Sequence, residues 1–152
     1  MEIKIGFLRI RKKMTQKQKN KIRNFWQNQF KDLNKFRVKR ESNEFDDDNE
    51  VLNRFSHRQL AGLYAVASIC YHGNEENLIE DVLYDRLCKC LLKNYKECIE
   101  SGADMLDKNE LRCCSGIDTT KFVKPYHDIA EILLGHECRC LKCTREHNPN
   151  LN

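Results

Sequence analysis

The sequence predicts a mostly α-helical protein: a small helical domain built on an antiparallel helix hairpin, with a basic N-terminal helical arm and a cysteine-rich C-terminal tail. Three observations lead there. Apolar residues recur at helical spacing in two long stretches, Ile22, Phe25, Trp26, Phe30, Leu33 and Leu60, Leu63, Tyr64, Ala67, as they do where a helix face meets a core. Helix start and stop signals bracket these stretches, and the many short alternating segments of a β-barrel are missing. Basic charge gathers at one end of the chain and cysteine at the other.

Residues 3–10, IKIGFLRI, fit a short strand or an ordered arm that pairs when a partner supplies a sheet edge. From Thr15, with Gln18 three residues on as a capping box, a helix is expected to about Arg37. Its apolar face suits packing on its own domain; its basic, aromatic character also suits a nucleic acid, a membrane surface or a partner groove. The stretch 41–50, ESNEFDDDNE, carries six acids and no apolar period, so it divides a basic arm (1–40) from a helical domain (51–135) as an acidic linker. Residues 136–152 form the tail. The next helix starts near Glu50 or Ser56, runs through Cys70 and delivers Tyr71 and His72 before Gly73 stops it. Asp81 can cap a second helix, expected to about Tyr95, with Leu83, Leu87 and Leu91 toward the core. The short loop between these helices requires an antiparallel hairpin. Residues 96–106 suit a short helix and turn, 107–118 one helical turn, and Pro125 the first turn of a last helix over 126–134, stopped by Gly135.

At 152 residues the chain has room for one domain with extensions and not for a large multi-site enzyme. No apolar run approaches the roughly 18 residues of a membrane span. The opening MEIKIGFLRIRKK scatters charge where a signal peptide would be apolar, which leads us to expect a cytoplasmic protein and no membrane partner. The net charge of +4 conceals an asymmetry: residues 1–40 hold 14 Lys/Arg against Glu2 and Asp32, a balance of +12, and the remainder holds 13 basic against 21 acidic residues, or −8. A basic arm on an acidic body points to nucleic acid or an acidic protein surface as partner, or to plain solubility. Nine cysteines are an odd number, and several fall within expected helices, so reduced thiols are expected rather than a disulfide framework.

The most specific residues lie in 70–87, CYHGNEENLIEDVLYDRL. Asp81, Tyr84 and Asp85 stand at i, i+3 and i+4, so one ring and two carboxylates share a helix face beside the loop that carries Tyr71 and His72. Ring faces attract a delocalised cation, carboxylates accept from hydroxyls or an amide, and a histidine can meet a phosphate. Nicotinamide mononucleotide has all of these features. Each residue alone also has an ordinary explanation, as a half-buried tyrosine, a helix cap or a solvated first-turn acid.

The order Tyr71-His72, eight residues, Asp81, two residues, Tyr84-Asp85-Arg86-Leu87 resembles the N-terminal subdomain of bacterial NAD-dependent DNA ligases, which grips the nicotinamide mononucleotide half of NAD before adenylation. The resemblance implies that Tyr71 and Tyr84 hold the nicotinamide ring and that Asp81, Asp85 and His72 contact the nicotinamide, ribose and phosphate. The region from about Ser56 to Gly135, including DKNELRCCSGID at 107–118, is also similar to short ligase-related proteins of bacteriophages, which would put the protein in a host cytoplasm. No Lys-x-Asp-Gly motif occurs in the sequence, and self-adenylation needs that lysine as nucleophile. Three readings follow: a protein that binds nicotinamide mononucleotide or NAD without ligase activity of its own, the accessory subunit of a split NAD-dependent ligase, or a nucleic-acid-binding or interaction protein with a vestigial pocket.

The tail, GHECRCLKCTREH, is a second constellation. Cys138, Cys140 and Cys143 with His136 or His147 offer four soft donors, the number tetrahedral zinc takes. Cys113 and Cys114 are further candidates from elsewhere in the chain. A reduced, metal-free tail is the alternative.

Overall fold

The structure, a computed structural model, describes residues 14–36, 48–114 and 118–147. Among these residues every regular element is a helix. The 3–10 segment and positions 41–47 of the acidic linker lie outside the described residues.

Helix α1 (Gln16–Asn34) begins at the expected capping box: the Thr15 hydroxyl accepts from the Gln18 N–H at 3.1 Å, and the Gln18 side chain accepts from the Thr15 N–H at 2.9 Å. Two helix-end donors are thereby satisfied by each other's residues. Trp26, Phe30 and Leu33 are buried in the common core. Trp26 meets Tyr126 of helix α7 (Lys124–Leu134) edge-on, with ring centroids 6.4 Å apart, and Arg23 Nε donates to the Ile132 carbonyl at 3.2 Å. Packing on its own domain is therefore how the chain uses this helix, while Lys17, Lys21 and Lys31 stay exposed on its outer side. Trp26→Ala is expected to cost about 3–5 kcal/mol, the range for emptying an aromatic core site. Urea unfolding measures it, and a loss below about 1 kcal/mol would mean that α1 stands outside the cooperative unit.

The helix expected from Glu50 or Ser56 is two helices, α2 (Asp48–Arg54) and α3 (His57–Ser68). Ser56 interrupts them because its hydroxyl caps α3, accepting from Gln59 N–H at 3.1 Å while Gln59 returns the bond at 2.8 Å. Arg54 pairs with Asp32, and Phe36 meets Phe55 at 6.3 Å, so α2 is fastened to α1. Residues 60–68 of α3 are all buried, which makes it the central helix. Gly62 allows this crowding: a Cβ there would lie 3.3 Å from the Tyr126 hydroxyl and 3.4 Å from the Trp26 ring.

Helix α4 (Asp81–Lys93) packs on α3 with Leu83, Leu87 and Leu91 buried, the partner helix of the expected hairpin. It ends at Asn94, where α5 (Tyr95–Glu100) starts. Helix α6 (Lys108–Arg112) is capped by Asp107, whose carboxylate accepts from the N–H groups of Asn109 and Glu110 at 2.8 and 3.1 Å. A 3₁₀ turn (Thr119–Lys121) leads into α7, which carries Pro125 in its first turn and ends on Gly135 at φ 79°, a left-handed cap that suits glycine. Helix α8 (Leu141–His147) closes the described chain. No cysteine is disulfide-bonded. Among the described residues no helix is long and apolar enough to cross a membrane.

Candidate functional site

The end of α3 loosens before it stops. Ile69–Gly73 form a π-helical turn, and Asn74 follows with its N–H on the Cys70 and Tyr71 carbonyls. Such turns insert one extra residue per hydrogen-bonded ring and recur at functional sites. Here the turn leaves Tyr71 42% exposed, its ring edge-on to His72 at 4.8 Å. Glu75, at φ 57°, then reverses the chain toward α4.

A cavity of about 240 Å³ opens between this turn and the start of α4, and Tyr71, His72, Asp81, Tyr84 and Asp85 all line it. Asp81 does not cap α4; Glu80 holds the cap position without a side-chain capping bond, and Asp81 is the first helical residue. Its carboxylate is thus left to the cavity. Among the described residues no Lys or Arg lines the space, so two carboxylates set its charge and favour a cationic guest. The volume lies just under the roughly 300–1,000 Å³ of sites for drug-sized ligands.

The two tyrosines differ. Tyr84 is 9% exposed and stacks on Tyr64 with centroids 5.8 Å apart and an interplanar angle of 29°, so one ring face is covered by the protein. Its hydroxyl lies 2.7 Å from Ser68 Oγ. Ser68 donates its own proton to the Tyr64 carbonyl at 2.7 Å, so Tyr84 is the donor in the first bond. Burial pushes the Tyr84 phenol well above its ordinary value, leaving it neutral at physiological pH. Tyr84 is a fixed floor, and Tyr71 the exposed ring.

His72 Nε2 is buried without a hydrogen-bond partner among the described residues. Burial lowers the His72 pKa below its ordinary value, and the carboxylate of Glu110 opposes that shift. A buried polar nitrogen with nothing to bond is costly, and this one belongs to a residue on the cavity wall. Cys114 completes the far side, its thiol 3.8 Å from the Asp85 carbonyl.

The second site is a thiol cluster. Cys138, Cys140 and Cys143 come together as expected, but the nitrogen donor is His127 of α7, not His136. The four donor atoms lie within 4.8 Å of one another, and all four residues are buried. His127 Nδ1 stands 3.1 Å from Cys140 Sγ and 3.6 Å from Cys143 Sγ. Its Nε2 is 3.0 Å from the Thr119 carbonyl. A carbonyl only accepts, so Nε2 carries the proton and the Nδ1 lone pair faces the sulfurs, the arrangement that orients a metal-ligating histidine. His136 is occupied otherwise, with Nδ1 2.8 Å from the Glu137 carbonyl and Nε2 3.8 Å from Glu76. The side chain of His147 lies outside the described residues, and Cys113 and Cys114 lie outside the cluster.

The neighbouring thiols of Cys138 and Cys143, with the N–H groups of Cys143 and Lys142, push the Cys140 thiol well below its ordinary value. The same proximity pushes Cys143 up, since Cys138 and Cys140 crowd its sulfur. A buried group of three thiols that cannot all ionise alone, next to an oriented imidazole, has the donor chemistry for a metal ion such as zinc.

No family model, curated protein or solved structure matches this chain.

Proposed function

We propose that the protein binds nicotinamide mononucleotide, or NAD through its nicotinamide half, and that a zinc ion held by His127, Cys138, Cys140 and Cys143 secures the tail. The observation that carries the first part is that Tyr71, His72, Asp81, Tyr84 and Asp85 line one cavity that, among the described residues, is bounded by acidic and not basic charge. A pyridinium ring would lie between the cavity-lining side of Tyr84 and the exposed ring of Tyr71, where ring quadrupoles attract delocalised positive charge. Asp81 and Asp85 would accept from ribose hydroxyls or the carboxamide. His72, whose Nε2 has no hydrogen-bond partner among the described residues, would donate to the phosphate. The sequence has no Lys-x-Asp-Gly lysine, so the proposed activity is recognition without self-adenylation.

Calorimetric titration with nicotinamide mononucleotide, NAD, NADH and AMP tests this. Nicotinamide mononucleotide and NAD are expected to bind, NADH more weakly because its ring is neutral, and AMP barely. Affinity equal for NAD and AMP would refute the proposal. The pH dependence adds a signature. His72 has a lowered pKa in the free protein, and a bound phosphate would raise it, so binding takes up a proton. Affinity for the mononucleotide should rise as pH falls from about 7.5 to about 5.5, while that for nicotinamide riboside, which lacks the phosphate, should stay flat.

A further inference from the structure

The thiol cluster and the cavity are joined through two consecutive residues. Gly73 lies so close to the cysteine loop that a Cβ there would stand 2.6 Å from Cys140 Cβ and 3.2 Å from its Cα. Any side chain would force the two segments apart. Asn74 bridges the same junction with three bonds. Its Nδ2 donates to the Ile69 carbonyl at 3.0 Å and to Cys138 Sγ at 3.4 Å, and its Oδ1 accepts from the Arg139 N–H at 2.7 Å. One amide therefore holds the π turn on one side and the cysteine loop on the other. The residues immediately before this junction are Tyr71 and His72, which line the cavity.

We propose that a thiophilic metal ion bound by His127, Cys138, Cys140 and Cys143 acts as a clamp on Gly73 and Asn74, fixing Tyr71 and His72, so that metal and pocket ligand bind cooperatively. The ligand half of this statement rests on the nicotinamide reading above. Coordination would replace loose contacts among donors that lie within 4.8 Å of one another by fixed bonds of roughly 2.0–2.3 Å to one ion. That restraint fixes the segment against which Gly73 packs and to which Asn74 is bonded. Gly73 belongs to the same π turn as Tyr71 and His72, and Asn74 follows it directly, so no slack element separates the junction from the cavity. By linkage, a ligand that needs Tyr71 and His72 in place raises metal affinity by the same factor as metal raises its own.

Zinc is the probe metal. Protein carrying one equivalent of zinc is compared with protein stripped by a chelator, using amide hydrogen exchange over residues 69–76 and calorimetry with nicotinamide mononucleotide. Stripping is expected to speed exchange at 69–76 while the core amides of α1 are unchanged, and to weaken the mononucleotide about 10-fold. Asn74→Ala leaves all four metal ligands intact, so it should retain zinc and still lose about 5-fold in mononucleotide affinity. Exchange at 69–76 that ignores the metal, equal mononucleotide affinity in the two forms, or failure to take up zinc would each overturn the clamp. If neither form binds the mononucleotide, the nicotinamide reading falls separately, and the exchange comparison still decides whether metal orders the turn.

Discussion

Replacing His127 by Ala is expected to release the metal, whereas replacing His136 by Ala is expected to leave it bound. The two histidines are the sharpest contrast the cluster offers. His127 points Nδ1 at Cys140 and Cys143 and has its tautomer fixed by the Thr119 carbonyl; His136 is turned to Glu137 and Glu76. Losing one of four ligands should weaken zinc by well over the roughly 10–100-fold cost of losing a supporting contact, because the open position must be filled by water in a buried site. Competition with a chromophoric chelator measures the affinity, and elemental analysis the content. His127→Cys supplies a fourth thiolate and should restore binding, which separates lost coordination from a hole left in the core. Since structural metal binding is also folding free energy, the released form should show faster amide exchange through 138–145. Zinc retained in His127→Ala and lost in His136→Ala would reverse the ligand assignment, and wild-type protein without zinc would remove it.

Much of the fold can be read from local spacing, because periodicity and capping act over a few residues. Thr15 with Gln18 and the stripe Trp26, Phe30, Leu33 specify α1 without reference to anything distant; Gly135 specifies the end of α7 in the same way. The cavity residues were legible for a related reason. Tyr71-His72 at one helix end and Asp81, Tyr84, Asp85 at the start of the next are brought together by one short loop, so sequence proximity becomes spatial proximity. His127 was hidden because it lies eleven positions before Cys138, on a helix face whose other buried residues are Tyr126, Ile129, Ala130 and Ile132 and which reads as core. Only the fold of the tail back over α7 shows that its lone pair meets thiols. The single Cys140-x-x-Cys143 pair was the local signal, and it indicates a metal loop without saying where the remaining ligands come from. The π turn was missed because apolar periodicity cannot register one extra residue at a helix end. Tyr64 and Ser68, which fix Tyr84, read simply as core positions of α3.

The double substitution Asp81→Asn/Asp85→Asn is expected to abolish measurable binding of nicotinamide mononucleotide. Both side chains sit at the exposed start of α4 and line the cavity, and no lysine or arginine among the described residues lines it to offset their charge. A charge-assisted hydrogen bond contributes about 1.5–3 kcal/mol, so Asp85→Asn alone should weaken binding by about 10- to 150-fold. Removing both carboxylates also removes the field that favours a pyridinium over a neutral ring, so oxidised and reduced cofactor should then be bound equally poorly. The change in shape is minimal, and the expected loss of fold stability is small, about 0.3–1 kcal/mol for an acid taken from a helix N-terminus. Thermal unfolding and zinc content of the double variant should therefore stay close to wild type, and calorimetry should show no heat at ligand concentrations that saturate the unaltered protein. Tyr84→Phe serves as the companion. It keeps the ring on Tyr64 and loses the hydroxyl's bonds to Ser68 and Tyr64, so it should lower stability by about 1–2 kcal/mol and affinity little. Wild-type affinity in the double variant would show that these carboxylates do not recognise the ligand and that the Tyr-His and Asp-x-x-Tyr-Asp pattern serves the protein only as scaffold.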